Sequence, residues 1–382
     1  MTLPETGLSV PAVGSTPTGD SLVVTPGSAP TSADSSSTTT TVAPPPPGIT
    51  VGSSFTTATE GIAGLASECG NLSRVVARPD QDMMVVAVAQ QGLWKSNDAV
   101  DTWSRLGSGG GSAVITNRAT RIIFDPTNPK TFWESGIYNG GGVYRTDDNG
   151  VTFHQLGDIS HIESLSIDFS DPFRQTLLAT KHESNQTFRS TDGGQSWQDI
   201  SSDLPADIGF ATGPLVIDAQ TFLLGTSNST ASRLLRSTDA GATWATAYDA
   251  GVDGNPLRAS DGSLYWMLER INGIIVSHDN GQTWELISPK TLELPTGSSV
   301  SLVELPNGDL ASFGTAKIVV SADHGASWVP VGPTIPITPF GMVYSTFRKA
   351  MYIWQFDCDQ ALANNPIKTD SIIRLDFDVA AA

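Results

Sequence analysis

The sequence contains few cysteines, few basic residues and no long apolar run. Only two of its 382 residues are cysteine, and neither lies at a metal-binding spacing. Lys and Arg total 21 against 39 Asp and Glu, giving a net charge of −18. Nucleic acids and anionic membranes are recognised through basic patches, so this charge argues against both partners. No run of 18 apolar residues occurs, so we expect no membrane insertion, and no motif predicts a metal or other cofactor.

One stretch, residues 189–197 (RSTDGGQSW), organises the chain because related stretches keep recurring. The shared pattern is Ser/Thr-x-Asp-x-Gly-x-Ser/Thr-aromatic. Its closing aromatic residues are spaced by 50, 44, 47, 40 and 44 positions, which is typical of a repeat architecture. Copies occupy residues 146–153, 190–197, 237–244, 277–284 and 321–328, and a weaker copy at 96–103 has Val100 in place of the glycine.

The recurring pattern predicts a hairpin turn between two strands. Its aspartate can accept hydrogen bonds from backbone N–H groups of the turn, and its glycine can adopt positive φ. Its aromatic residue opens the next strand and can pack between neighbouring sheets. The pattern resembles the Asp-box (BNR) repeat of β-propellers, which is found in sialidases, xyloglucanases and sortilin-type receptors. The resemblance implies an all-β fold in which the boxes are structural, but one fold hosts many chemistries.

Strand and turn patterns predict seven blades. Six blades carry an Asp-box, and three further strands follow the last box without one, at 341–345, 350–356 and 371–377. We predict that residues 49–57 supply the fourth strand of this last blade, because sharing a blade between the chain ends closes the ring. The expected fold is a seven-bladed β-propeller over residues 49–382.

Residues 1–48 have a different composition and are predicted to be a disordered linker. The segment is rich in Ser, Thr and Pro, with an unbroken Ser/Thr run at 35–41 and a proline run at 44–47. No signal peptide is visible. Linkers of this kind commonly tether exported domains, so we expect a secreted or periplasmic monomer held at the cell envelope through this segment.

The predicted topology brings the two cysteines close together. Cys69 follows the N-terminal strand, and Cys358 lies in a loop of the last blade, on the same face of the ring. A Cys69–Cys358 disulfide would lock the ring closure and would suit an oxidising compartment. The alternative is two free thiols.

The topology also sorts polar side chains between two faces. The resemblance implies that ligands bind the face opposite the boxes, where other loops place acidic, basic and aromatic groups. The candidate catalytic residues there are His161, His182, Glu134, Glu183 and Glu269. The candidate substrate-binding residues are Arg118, Tyr138, Lys181, Phe210, Arg270 and Trp354. For any single one of these, an ordinary loop role is the alternative.

His161 and His182 form the sharpest candidate pair. They flank adjacent antiparallel strands of the third blade, so we expect them side by side, where imidazoles can act as acid and base. Their separation in sequence is similar to that of a histidine pair in propeller polysaccharide lyases, which act on uronate sugars with a tyrosine and an arginine. The alternative is that 180–183 is an ordinary segment preceding an Asp-box.

Two other family resemblances are incomplete. The arginine triad of sialidases is unfilled, and the Arg-Ile-Pro motif ahead of their first blade does not occur here. The stretch 140–145 resembles the opening of xyloglucanases, but those enzymes join two propellers, and Asn139 stands nearest to an expected aspartate. A two-carboxylate hydrolase could still combine Glu134 with Glu183 or Glu269.

Three functions therefore compete. The first is an exported glycan-cleaving enzyme, either a glycoside hydrolase or a polysaccharide lyase. The second is a non-catalytic glycan-binding module that stacks sugars on aromatic rings, and the third is a protein-binding scaffold. We favour the enzyme, because acidic and imidazole groups concentrate on blades two, three and five.

Overall fold

The computed structural model describes residues 45–68, 72–98, 102–227, 232–269, 273–287, 302–314, 316–359 and 364–380. These residues form seven antiparallel sheets that succeed one another along the chain. They contain one short 3₁₀ helix, Ser201–Asp203. None of the helical structure described is long and apolar enough to cross a membrane.

Each of the first three blades is a four-stranded sheet whose strands pair in chain order. Blade 1 contains β3 (Leu72–Ala77), β4 (Met84–Val88), β5 (Gly92–Ser96) and β6 (Ser104–Arg105). Blade 2 contains β7 (Arg118–Phe124), β8 (Phe132–Ile137), β9 (Val143–Thr146) and β10 (His154–Gln155). Blade 3 contains β11 (Ile162–Ile167), β12 (Leu177–Lys181), β13 (Thr187–Ser190) and β14 (Gln198–Asp199).

The next three blades repeat this arrangement. Blade 4 contains β15 (Phe210–Val216), β16 (Phe222–Ser227), β17 (Arg233–Ser237) and β18 (Ala245–Tyr248). Blade 5 contains β19 (Val252–Arg258), β20 (Leu264–Leu268), β21 (Ile274–Ser277) and β22 (Glu285–Leu286). Blade 6 contains β23 (Val303–Glu304), β24 (Leu310–Phe313), β25 (Ile318–Ser321) and β26 (Val329–Val331).

Blade 7 joins the two ends of the propeller, as the strand count predicted. Its three C-terminal strands are β27 (Gly341–Ser345), β28 (Ala350–Trp354) and β29 (Ile372–Val379). Two N-terminal strands, β1 (Ile49–Val51) and β2 (Thr56–Thr57), both pair with β29. Ile49 lies opposite Val379. Because β27 also contacts β3 of blade 1, the ring is closed, and the predicted seven-bladed propeller is confirmed.

The core consists of apolar clusters between neighbouring blades. The cluster between blades 1 and 2, for example, contains Val85, Phe132 and Phe153. Strand side chains alternate between the two sides of a sheet, so each blade contributes to a cluster on both sides. This packing explains why the middle strands are buried along their whole length.

The Asp-box turns are held by the hydrogen bonds that their sequence predicted. In blade 3, Asp192 Oδ1 accepts from Ser190 Oγ at 2.8 Å and from Ser196 N at 2.9 Å, while Asp192 Oδ2 accepts from Ser196 Oγ at 2.5 Å. Gly194 has φ +90°, and an added Cβ would lie 2.8 Å from Leu156 of the preceding blade. The box is therefore both a turn and a blade-to-blade contact.

Candidate functional site

Blade 3 places the histidine pair and its Asp-box at opposite ends. His161 immediately precedes β11 and His182 immediately follows β12, and His182 N donates to His161 O at 2.9 Å. At the other end, Gly193 N of the box donates to Gln175 O in the β11–β12 turn. The two histidines are thus adjacent, as the strand register predicted, on the face away from the box.

Tyr138 of blade 2 completes this group. Its Oη lies 3.0 Å from His182 Nε2, and its ring meets the rings of His161 and His182 edge to face, with centroids 5.4 and 5.5 Å away. On the other side of the imidazole, Glu163 Oε2 lies 3.1 Å from His182 Nδ1. This contact is an ion pair that lacks hydrogen-bond alignment. We name Tyr138, His161, Glu163 and His182 the histidine–tyrosine cluster.

The electrostatics of the cluster follow from this arrangement. The Glu163 carboxylate raises the pKa of His182 above 6.5, partial burial opposes the rise, and Glu183 adds to it. A carboxylate at Nδ1 favours the tautomer that carries its proton there, which leaves Nε2 to accept the Tyr138 hydroxyl proton. Tyr138 and His182 therefore have the connectivity of a proton relay, and the Glu163 carboxylate would stabilise the imidazolium that this relay forms.

The backbone of the cluster is in unusual conformations. Tyr138, His161 and Glu183 have φ of 58°, 56° and 47°, the left-handed region that is unfavourable for residues with a Cβ. Such conformations persist where surrounding structure enforces them, and they often occur at functional sites. Here all three occur at strand ends that face the cluster.

Arg118 adds a positive charge beside the cluster. Its guanidinium carbon lies 4.6 Å from the centre of the Tyr138 ring and 5.7 Å from that of Phe356. Cation–π contacts of this length hold the guanidinium in place and keep its positive charge beside the Tyr138 ring.

The cluster borders a cavity of about 420 Å³ at the mouth of the central channel, which we name the channel cavity. Its wall is formed largely by inner strands at the point where their pairing register shifts. Such bulges occur in β3, β7, β11, β15 and β19 and turn side chains inward. The lining includes Ser73, Arg74, Arg118, Thr120, Glu163, His182, Thr212, Asn255, Phe340 and Phe356.

A second cavity of about 310 Å³ shares Glu163, His182 and Thr212 with the first and extends toward blades 4 and 5. It brings together three further predicted residues, Glu183, Phe210 and Glu269. The Phe210 side chain is 45% exposed, and Glu269 Oε1 accepts from Ser227 Oγ at 2.8 Å.

Five of the described predicted residues do not line either cavity: Tyr138 and His161 of the cluster, and Glu134, Trp354 and Lys181. Glu134 is fully buried within β8, where Asn117 Nδ2 donates to it at 3.3 Å, and burial raises its pKa well above 4.5. Trp354 is fully buried in the core between blades 7 and 1, so its ring has no free face for a sugar. Lys181 lies near the Asp199 carboxylate in its own blade.

Two predicted residues, Arg270 and Cys69, lie outside the described residues. Cys358 is disulfide-bonded, and the described part of the chain has no free cysteine. The pairing of Cys358 with Cys69 stays a prediction.

Sequence reasoning missed the polar residues that the bulges turn inward, such as Arg74, Thr120 and Asn255. The available signal was a charged or hydroxyl residue inside an otherwise apolar inner strand, as in Leu72-Ser73-Arg74. Within the described residues, no group of three or more His, Cys, Asp or Glu side chains could hold a metal ion.

Comparison with known proteins agrees with the repeat pattern. The BNR/Asp-box repeat profile matches residues 275–286. Among curated proteins, no sequence matches the chain.

Solved structures share the fold at low sequence identity. A GH74 enzyme from Niastella koreensis superposes with a TM-score of 0.57 at 15% identity, covering 78% of this chain and 52% of that one. YCF48 bound to a D1 peptide gives 0.51 at 14% identity, covering 86% and 96%. The extracellular domain of BT4673 from B. thetaiotaomicron gives 0.56 at 9% identity, covering 85% and 40%.

The chain thus spans about half the length of the GH74 enzyme, and identities this low establish the fold alone. The fold also occurs in YCF48 bound to a D1 peptide and in the extracellular domain of BT4673, so a catalytic role does not follow from it. The match to the repeat profile, the six Asp-box positions and the closed ring of seven sheets all indicate the same fold. The chain folds as a seven-bladed β-propeller that carries Asp-box (BNR) repeats.

Proposed function

We propose that the protein is an exported, monomeric enzyme that cleaves an acidic glycan by β-elimination at the channel cavity. The observation that carries the proposal is the Tyr138–His182–Glu163 chain beside Arg118. It combines a proton relay with a positive charge, which are the two requirements for removing a proton next to a sugar carboxylate.

The chemistry can be assigned to named side chains. His182 takes the hydroxyl proton of Tyr138, and the resulting phenolate removes the proton from the carbon next to the substrate carboxylate. The electron pair forms a carbon–carbon double bond and expels the glycosidic oxygen, which takes the proton from Tyr138. His182 then returns its proton to the phenolate, which restores both side chains. Arg118 balances the charge that builds up on the carboxylate, and His161 positions the phenol through its ring contact.

The second cavity gives the substrate chain a further contact surface. The exposed Phe210 ring can stack on a sugar, and the acidic side chains of Glu183 and Glu269 can accept hydrogen bonds from hydroxyl groups. The GH74 neighbour supports glycans as the ligand class, although its own length is about twice that covered here.

The test is a screen of acidic and neutral polysaccharides that reads both ultraviolet absorbance of unsaturated uronates and new reducing ends. Tyr138→Phe keeps the ring contacts and removes only the hydroxyl, so we expect a loss of roughly 10²–10⁴-fold in turnover. The matched control is His278→Gln, a histidine on the box face that contacts Ser263 Oγ at 2.8 Å. Equal activity of the two variants would sink the proposal.

A non-catalytic binding role is the second candidate, and one observation favours it. Phe210 and Phe356 are 45% and 38% exposed beside the two cavities, which suits stacking of a sugar or docking of a peptide side chain. YCF48 shares the fold and was solved with a D1 peptide. Saturable binding of a polysaccharide without either product signal would favour this candidate over the enzyme.

A further inference from the structure

Two arginines occupy equivalent positions on neighbouring inner strands. Arg74 in β3 and Arg121 in β7 each follow the bulged residue of their strand, Ser73 and Thr120 respectively. Ser73 Oγ donates to Ala119 O, and Thr120 Oγ1 donates in the same way to Ile162 O of the next blade. Arg74 lines the channel cavity, and Arg121 of the next blade lies close enough for its charge to act on Arg74.

Neither arginine has a carboxylate partner among the described residues. Arg74 is 8% exposed, and its only hydrogen bond there runs from Nη2 to Thr120 O. The Nε atoms of both arginines are enclosed and have no acceptor in the described part of the chain. Burial lowers the pKa of Arg74 to about 9 and that of Arg121 to about 10, and for Arg74 the nearby charge of Arg121 contributes. Both remain charged at neutral pH.

Other buried arginines of this protein are paired. Arg174 contacts Asp125 at 2.8 Å, Arg348 contacts Asp82 at 2.6 Å, and Arg78 contacts Asp80 at 2.5 Å. The chain has 39 acidic residues, yet none of those described lies against Arg74 or Arg121. Two like charges that act on each other in a poorly solvated region are unfavourable, and an anion bound between them would offset that cost.

We propose that Arg74 and Arg121 form an oxyanion-binding site at the inner end of the channel cavity. The ligand class is a small oxyanion: inorganic sulfate or phosphate, or the carboxylate of a sugar acid. Guanidinium groups bind such oxygens through pairs of N–H donors. The site goes beyond the proposed function, because it requires no catalysis and lies on residues that the proton relay does not use.

The test is calorimetric titration with sodium sulfate, sodium phosphate and sodium glucuronate, each at matched ionic strength in chloride. We expect saturable binding to the wild type, and binding about tenfold or more weaker in Arg74→Gln and in Arg121→Gln. Arg105→Gln is the matched control, since it removes the same charge from the exposed outer strand of blade 1. It should bind like the wild type.

Melting temperatures measured with and without sulfate give a second test, which also works if a variant is less stable than the wild type. In chloride alone, Arg121→Gln should melt no lower than the wild type, because it relieves an uncompensated buried charge, and added sulfate should stabilise it less than the wild type. A sulfate effect that is equal in Arg121→Gln and Arg105→Gln would reflect general salting effects and would overturn the proposal.

The titrations with sulfate, phosphate and glucuronate distinguish a free inorganic anion from the acid group of a glycan. Binding of sulfate or phosphate supports a free inorganic anion, and binding of glucuronate alone supports the acid group of a glycan; no binding of any of the three overturns the site. Tyr138→Phe should bind these anions normally. An inactive wild type that still binds sulfate would therefore refute the proposed reaction and leave the anion site standing.

Discussion

The two faces of the propeller use charged side chains in opposite ways. On the box face, carboxylates are fully engaged by local donors, as Asp192 is by Ser190 and Ser196, or by a buried arginine, as Asp125 is by Arg174. On the cavity face, Arg74 has no acidic partner among the described residues, and the Tyr138 hydroxyl lies 3.0 Å from His182 Nε2. The box-face charges named here are satisfied within the chain, whereas Arg74 on the cavity face is the charge that we propose a ligand neutralises.

This difference indicates where stability and function reside. The box-face contacts are local or join neighbouring blades, so they contribute to folding whatever the ligand. The cavity-face groups, by contrast, are brought together from different blades, as Tyr138 of blade 2 and His182 of blade 3 are, and contribute to a site. Substitutions on the two faces should therefore separate stability from activity.

The largest expected effect on stability is that of Asp125→Ala. It would leave Arg174, whose side chain is 7% exposed, buried without its partner, at a cost of about 3–5 kcal/mol in unfolding free energy. Denaturant unfolding measures this loss, and turnover well below the transition should be unchanged. The control is Asp147→Ala in the exposed Arg145–Asp147 pair of the same blade, which should cost less than about 1 kcal/mol. Equal losses of unfolding free energy in the two variants would contradict the role of the buried Asp125–Arg174 pair in stability.

A smaller loss of unfolding free energy is expected for Asp192→Ala. It removes three hydrogen bonds of one box turn, and the net effect should be about 2 kcal/mol because water competes for the same groups. Thermal unfolding of this variant beside Asp203→Ala, an exposed aspartate of the same blade, provides the comparison. A fall in turnover without a fall in melting temperature would place function on the box face.

The smallest expected effect is a change in the pKa of His182 on the cavity face. Glu163 raises the pKa of His182, so the stabilisation by their pair is complete below pH 6.5 and is lost as pH rises through the raised value. Glu163→Gln should lower the pKa of His182 and move the acidic limb of the activity profile to lower pH, since the relay needs a neutral imidazole. NMR titration of the imidazole measures the shift.

The control for this titration is Glu183→Gln. Its carboxylate lies 3.8 Å from His182 Nε2 and is 73% exposed, so solvent screens it and the pKa of His182 should fall less. A larger fall for Glu183→Gln than for Glu163→Gln would contradict the proposed relay.

The fold could be predicted because its signals are local. Each Asp-box turn is specified within eight residues, and counting strands after the last box sufficed to predict the shared blade. His161 and His182 could be paired because antiparallel register follows from a single hairpin.

The remaining parts of the site depend on contacts between blades. The sequence does not indicate that Tyr138 reaches across to His182, or that Arg74 crosses to Thr120, because blade-to-blade rotation sets both. Glu134 was predicted at the rim because of its place near a strand end, but β8 continues to Ile137 and encloses it. Trp354 faces the core because Gly341 opposite it leaves room for the indole.

The shared blade has a mechanical consequence. Ile49 begins β1 opposite Val379, which ends β29, so both ends of the chain leave the ring at the same corner. A force that pulls Ile49 and Val379 apart would break the backbone hydrogen bonds between β1 and β29 one after another, starting at this end. Thermal unfolding is opposed by contacts in all seven blades, whereas tension between the two ends of the propeller is opposed first by the three residue pairs of β1 and β29.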